Sequence, residues 1–195
     1  MRNIRAWLRG VGALAVSWAL AVGGRAQQPP PADEGPLPGS GLTRQQIVDK
    51  FGDAPGKGSV EDGKTLFQGL CSHCHTFGEI GTFVGPDLST VGSRFRTRDL
   101  LEAILWPSRT ISDQYAMTSF TLDDGSVVTG LVSREDSQYV FLRTPEVPGG
   151  RGLPIPVARI KARRPADVSM MPEGLAAGLT LEQIEHMIAF LIRGR

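Results

Sequence analysis

Cys71-Ser72-His73-Cys74-His75 is the stretch around which the chain is organised, and we call it the C-x-x-C-H motif. Two thiols three positions apart can add to the two vinyl groups of one haem. A histidine directly after the second thiol is then held beneath the iron as its proximal ligand. The motif therefore predicts one covalent haem c, with thioethers at Cys71 and Cys74 and iron ligation by His75.

Three other kinds of site share this cysteine spacing: a redox-active dithiol, half of a zinc site and a structural disulfide. A zinc site needs four ligands, but the only histidine after the motif is His186, more than a hundred positions away. A thioredoxin-like dithiol is expected beside a βαβ pattern, which the sequence does not show. A disulfide between Cys71 and Cys74 would close too small a loop to stabilise the chain much.

The first 26 residues have the pattern of a secretory signal. Three arginines precede an apolar run from Val11 to Val22, and small residues surround the predicted cleavage point after Ala26. The run is well short of the roughly 20 residues that a helix needs to span a bilayer. This length disfavours the alternative of a retained membrane anchor, so we expect an exported protein with no stable membrane span after cleavage.

Removal of the signal segment changes the charge balance of the chain. The segment holds four of the 21 basic residues and no acidic residue, which leaves 17 basic against 20 acidic residues and a net charge of about −3. A nucleic-acid-binding protein normally presents a basic face. The composition therefore argues against nucleic acid as a partner.

The rest of the chain divides into three parts. Residues 27–41 predict an extended linker, because five of them are proline and three are glycine. Residues 42–58 predict a short docking helix and a turn, since Thr43 and Gln46 can form a capping box. Residues 59–195 are predicted to be the haem-binding domain.

Helices are predicted on both sides of the middle of this domain. Ser59 can cap a helix that leads to the C-x-x-C-H motif, and Thr97 can cap one that ends at Leu105. Thr180 and Gln183 form a capping box ahead of the last helix, which carries a continuous apolar face.

From Tyr115 the hydrophobic period changes from about 3.6 to 2, which predicts strands. Asp123-Asp124-Gly125 is a strong hairpin turn, and Pro154 and Pro156 place the last segment at a sheet edge. We therefore expect a small antiparallel sheet of three or four strands, inserted at about 115–161. The predicted strand segments are 115–122, 127–134, 138–144 and 155–161.

Arg94 and Trp106 flank the helix predicted over 97–105, and either could bind a haem propionate. A guanidinium pairs with a carboxylate in a fork, and a buried indole N–H usually finds a hydrogen-bond partner. The plainer alternatives are a solvated arginine and a core tryptophan.

The stretch from Gly63 to the C-terminus resembles a class I cytochrome c, in the version found as haem-binding domains in planctomycetes and verrucomicrobia. The resemblance covers about two thirds of the chain, and the C-x-x-C-H motif is its specific part. It implies a mainly α fold, with class I cytochrome c helices around one haem c and the small sheet inserted before the loop that holds the axial methionine. The other matching residues are Gly63, Leu66-Phe67, Gly85-Pro86-Asp87-Leu88, Gly92-Ser93-Arg94, 100–104, Pro107-Ser108, Asp124-Gly125 and Ser169-Met170-Met171-Pro172.

The same resemblance implies roles for two residues. Pro86 would present its backbone carbonyl to the free nitrogen of the proximal imidazole, a bond that fixes the tautomer and raises the basicity of the ligand. Met171, a loop methionine followed by proline just ahead of the last helix, would be the sixth iron ligand. Its competitors are Met170, and more remotely Met117, Met187, His73 and His186.

We therefore expect a periplasmic monohaem c-type cytochrome that carries single electrons between redox partner proteins, such as a dehydrogenase or an oxidase. Relatives attach their haem after export, which agrees with the signal segment. The chain itself is not expected to be an enzyme, because six-coordinate iron has no open position for a substrate. One alternative is a haem-bearing electron-transfer subunit of a dehydrogenase complex. Another is a haem redox or gas sensor whose sixth position is open or easily displaced.

Overall fold

The computed structural model describes residues 35–53, 57–144, 146–147 and 152–194. The predicted signal segment, 1–26, and most of the predicted linker lie outside these ranges. Within them, helix accounts for 34% of the residues and strand for 23%. No helix in the described part is both long enough and apolar enough to cross a membrane.

The helices and strands alternate irregularly along the described chain. The helices are α1 (Arg44–Phe51), α2 (Val60–Leu70), α3 (Val91–Arg94), α4 (Thr97–Leu105) and α5 (Leu181–Arg193). The strands are β1 (Thr76–Phe77), β2 (Ile80–Gly81), β3 (Thr118–Leu122), β4 (Val127–Glu135), β5 (Tyr139–Arg143), β6 (Leu153–Pro156) and β7 (Ile160–Pro165).

Local side-chain bonds set where three of the helices begin. Capping boxes form between Thr43 and Gln46 ahead of α1 and between Thr180 and Gln183 ahead of α5. The Ser59 side chain accepts a hydrogen bond from the N–H of Asp62 at the start of α2. All three helix starts agree with the sequence, because capping depends on residues only three positions apart.

The helices pack around the crossing of α2 and α5. Gly63 makes the close approach possible, because a Cβ there would lie 2.7 Å from Cβ of Phe190. The ring of Phe190 stacks 5.3 Å from that of Phe67 and 4.4 Å from that of Phe77, measured between centroids. These rings form the centre of one hydrophobic core, which holds residues from α1, α2, α4 and α5.

The second core lies under a five-stranded antiparallel sheet with the strand order β6-β5-β4-β3-β7. Strands β3 to β6 follow one another as a meander, and β7 returns to pair with β3. Arg163 on β7 forms a bidentate ion pair with Glu135 at the end of β4, with N–O distances of 2.7 and 2.8 Å. Because β3 lies between these two strands, the contact shows that the sheet curls over its core.

The predicted mainly α fold, a class I cytochrome c helical fold with a small inserted sheet, is wrong. The described residues form mixed α and β structure with a five-stranded antiparallel sheet. The reason lies in the segment predicted as one strand, 155–161. A 3-10 turn at Val157–Arg159 divides it into β6, which is the edge strand that its prolines predict, and β7, which continues to Pro165. The sheet thereby has a fifth strand and a core of its own.

Part of the predicted linker, residues 35–41, falls within the described ranges. Leu37 is buried and belongs to the helical core. The N–H of Gly39 donates to the carbonyl oxygen of Ala177 at 2.9 Å, just ahead of α5. This part of the chain therefore packs on the segment that leads into the last helix.

Candidate haem site

The C-x-x-C-H motif continues directly from the end of α2. The N–H of Cys71 donates to the carbonyl oxygen of Phe67 at 2.8 Å, and the N–H of His75 donates to that of Cys71 at 2.9 Å. These helix-like bonds keep the motif in a tight turn. As a result Cys71, Cys74 and His75 face one cavity.

The cavity has a volume of about 240 Å³ and lies between the helices and the sheet. Leu70 and the motif residues other than Ser72 form one wall, and residues 84–86 form a second. Residues 169–172 together with Leu175 form a third wall, and Tyr115 and Leu131 close the side nearest the sheet. The described residues that line this cavity include no lysine, arginine, aspartate or glutamate, so its surface is mainly apolar.

The imidazole of His75 is held in one tautomer. Its Nδ1 atom lies 2.8 Å from the carbonyl oxygen of Pro86, which can only accept a hydrogen bond, so Nδ1 carries the proton. The Nε2 lone pair is then free to bind a metal. Burial lowers the pKa of His75, while the bond to Pro86 acts in the opposite direction. The ring is therefore neutral at neutral pH, as an iron ligand must be.

Gly85 gives the imidazole the space that it occupies. A Cβ at position 85 would lie 2.8 Å from Cε1 and 3.0 Å from Nδ1 of His75. The N–H groups of Val84 and Gly85 both donate to the carbonyl oxygen of Cys74, at 3.0 and 2.6 Å. The glycine backbone is thus tied to the motif and lies against the ring.

The two thiols have raised pKa values. Burial, and after it the neighbouring Cys74, raises the pKa of Cys71 to about 11, and burial also raises the pKa of Cys74. Both sulfurs are therefore protonated at neutral pH. Redox-active dithiols have a lowered thiol pKa, so this environment disfavours the dithiol interpretation of the motif.

The described ranges contain no site at which side chains alone could bind a metal ion. No three of His, Cys, Asp and Glu are grouped there so that they could hold an ion. A haem iron needs only two axial atoms from the protein, because the porphyrin supplies the other four.

Met170 and Met171 both line the cavity that contains His75, although they are far from it in the sequence. The N–H of Met171 donates to the hydroxyl of Ser169 at 3.1 Å, and the N–H of Ser169 donates to the hydroxyl of Ser108 at 3.2 Å. Both methionines are half-buried. The loop that carries Met170 and Met171 is therefore fixed to the segment that follows α4.

The other candidates for the sixth ligand lie in different surroundings. Met187 belongs to the helical core and Met117 is buried, and neither lines the cavity. The exposed His73 lies at the cavity. His186 is engaged elsewhere, because its Nδ1 accepts a hydrogen bond from the N–H of Ser59 at 2.9 Å.

Arg94 and Trp106, the candidates for propionate binding, each lie against a neighbouring side chain. The guanidinium of Arg94 is exposed and lies over the ring of Phe95 at 5.6 Å. Trp106 is buried in the helical core, with the guanidinium of Arg109 over its ring at 5.5 Å. Neither residue is among those that line the cavity.

Sequence reasoning missed the wall that Tyr115 and Leu131 provide. Alternation along β4 shows that Leu131 and Val128 lie on opposite faces of the sheet, and Val128 packs on the sheet core. It does not show which elements cover the other face. That information comes only from the tertiary packing.

The donor set fits haem c. Two thiols, an imidazole with a free Nε2 and a thioether sulfur line one mainly apolar cavity, and these are the groups that covalent attachment and axial ligation require. Compared with models of known protein families, the chain matches none, and no curated protein matches its sequence.

Proposed function

We propose that this protein is an exported, periplasmic monohaem c-type cytochrome that carries single electrons between redox partner proteins. Cys71 and Cys74 would hold one haem through thioethers, and His75 and Met171 would be the iron ligands. The partners would be redox proteins such as a dehydrogenase or an oxidase, and any catalysis would take place in them.

One observation carries the proposal: the C-x-x-C-H motif and the Met170-Met171 loop line the same cavity. A core methionine would not need to face the histidine of the motif, whereas an axial ligand must do so. Of the two methionines, we assign Met171, because the resemblance in sequence places the ligand directly before a proline. This choice makes the proposal testable residue by residue.

The residues that line the cavity would have separate parts in electron transfer. Bound haem would supply a one-electron couple between ferric and ferrous iron. The carbonyl oxygen of Pro86 accepts a hydrogen bond from Nδ1–H of His75 and so holds the ring with Nε2 directed away from Pro86. The apolar wall excludes water, and a thioether ligand favours the ferrous state compared with a second histidine. Iron held by both His75 and Met171 would have no open position for a substrate.

Covalent attachment is tested on holoprotein matured with haem in a periplasm. Haem should remain with the polypeptide after extraction with acidified acetone, and the pyridine haemochrome should show two saturated vinyl groups. Cys74→Ala should leave a single thioether and shift that band. Haem that is fully extractable from the wild type would refute the proposal.

The axial ligand is tested with neighbouring variants. Met171→Ala should abolish the weak red band of charge transfer from methionine to ferric iron, lower the potential and let ferrous iron bind carbon monoxide. Met170→Ala is the matched control and should change none of these. The reverse pattern would move the ligand by one residue. Carbon monoxide uptake by the wild type would instead favour a sensor with an open sixth position.

A further inference from the structure

We propose that Arg143, presented by β5 of the sheet, is the residue that binds a haem propionate. The inference rests on the proposed haem site and adds a role for the sheet. It names a third candidate beside Arg94 and Trp106; none of the three lines the cavity itself.

A haem in this cavity brings two carboxylates to a mainly apolar site. None of the described residues that line the cavity is a lysine or an arginine, so they offer no fixed positive charge to either propionate. A carboxylate taken out of water is costly unless it is paired and hydrogen-bonded. Among the described residues, a cation that pairs with a buried propionate would have to reach in from just outside the wall.

Arg143 lies next to residues of two cavity walls. It is the direct cross-strand partner of Leu131, which lines the cavity, and directly opposed residues have Cβ atoms about 4.5–5.5 Å apart. Its Nη1 atom lies 3.4 Å from the carbonyl oxygen of Phe83, the residue next to Val84 in the second wall. The guanidinium thus lies where the sheet meets the loop that supports His75.

Arg143 differs in its ion pairing from two other arginines on the sheet. Arg134 and Arg163, also on the sheet, are ion-paired with Asp136 and Glu135. Within the described ranges Arg143 has no carboxylate partner, and its one hydrogen bond is a long one to a neutral carbonyl. A propionate would replace that weak bond by a charge-assisted, forked one.

The test compares Arg143→Gln with Arg134→Gln in the full-length holoprotein. Arg134 is the matched control, because it lies on the same face of the sheet, opposite Phe141. Loss of a cation beside the haem stabilises ferric iron, so Arg143→Gln should lower the midpoint potential. It should also shift the propionate carboxylate bands in the infrared difference spectrum between the two oxidation states. Arg134→Gln should leave both unchanged.

A second variant covers the case in which Arg143→Gln does not mature. Arg143→Lys keeps the charge but loses the fork, so the potential should stay near that of the wild type while the propionate bands shift. Unchanged bands in the variants of Arg143 that mature would overturn the inference, as would a shift of the bands on Arg94→Gln alone. If the wild type carries covalent haem and only the bands fail to respond, the inference falls and the proposed function stands. If the wild type carries no covalent haem, the proposed function itself fails.

Discussion

The Nδ1 atom of His186 accepts a hydrogen bond from the backbone N–H of Ser59 at 2.9 Å, and this bond ties α5 to the N-cap residue of α2. Ser59 itself caps α2, and α2 leads straight into the C-x-x-C-H motif. The side chain of His186 is only 17% exposed. The last helix therefore sets the position of the helix that delivers both cysteines.

His186→Ala should lower the free energy of unfolding by about 1 kcal/mol, because the Ser59 N–H loses its acceptor in a half-buried position. His186→Asn should lose less, since its amide oxygen can take the place of Nδ1. Urea denaturation of both variants measures the difference. Equal stability of the wild type and His186→Ala would show that the bond does not contribute.

Gly63 is the contact point of α2 and α5, and Gly63→Ala should destabilise the protein. The new Cβ would overlap the carbonyl oxygen of His186 and lie 2.7 Å from Cβ of Phe190. Forcing the helices apart should cost about 1–3 kcal/mol. Gly69→Ala is the matched control on the same helix, where a Cβ meets nothing within 4 Å. It should stabilise by about 0.5–1 kcal/mol, so destabilisation of similar size in both variants would contradict the packing argument.

Gly85→Ala should disturb the imidazole of His75 and not the fold as a whole. The added Cβ would lie 2.8 Å from Cε1 of the ring, so the ring must turn and its bond to Pro86 must lengthen. We expect less holoprotein and a changed ferric spectrum. Gly178→Ala, where a Cβ has open space, should leave the haem content unchanged. A normal spectrum in Gly85→Ala would show that the ring is not held by close packing.

The sequence predicts the features that depend on near neighbours. The C-x-x-C-H motif and the helix starts at Thr43, Ser59 and Thr180 can be read from residues a few positions apart. The fold class could not be read in this way, because β7 forms only through its long-range pairing with β3. For the same reason, nothing local indicates that Arg143 pairs with Leu131, a residue of the cavity wall.

Acid should weaken the β3–β4 hairpin. Asp124 accepts hydrogen bonds from the N–H and hydroxyl of Ser126, at 2.9 and 2.6 Å, and also pairs with Arg159. These bonds hold the pKa of Asp124 at about 2, below the value of about 3.9 in an unfolded chain. A lowered folded-state pKa means that the stabilisation is present above about pH 4 and is lost as the pH falls towards 2.

Replacement of Asp124 by asparagine should therefore flatten the fall in unfolding free energy between about pH 4 and pH 2. Ser126→Ala should have a smaller effect of the same kind, because it removes one of the two Ser126 donors. Denaturant titrations across this pH range measure both. A fall as steep in Asp124→Asn as in the wild type would place the acid sensitivity in other carboxylates.

A variant of Leu131 tests whether the sheet forms part of the proposed haem site or only lies next to it. Its side chain lines the cavity from β4, whereas Val127 on the same strand is 62% exposed. Leu131→Ala should cost about 1–2 kcal/mol, less than a fully buried leucine. It should also lower the midpoint potential, because water that enters through the gap stabilises ferric iron. Val127→Ala should change stability by less than about 0.5 kcal/mol and leave the potential alone. If Leu131→Ala lowers stability but not the potential, the sheet supports the fold without shielding the iron. The residues that shield the iron on this side must then belong to the helices.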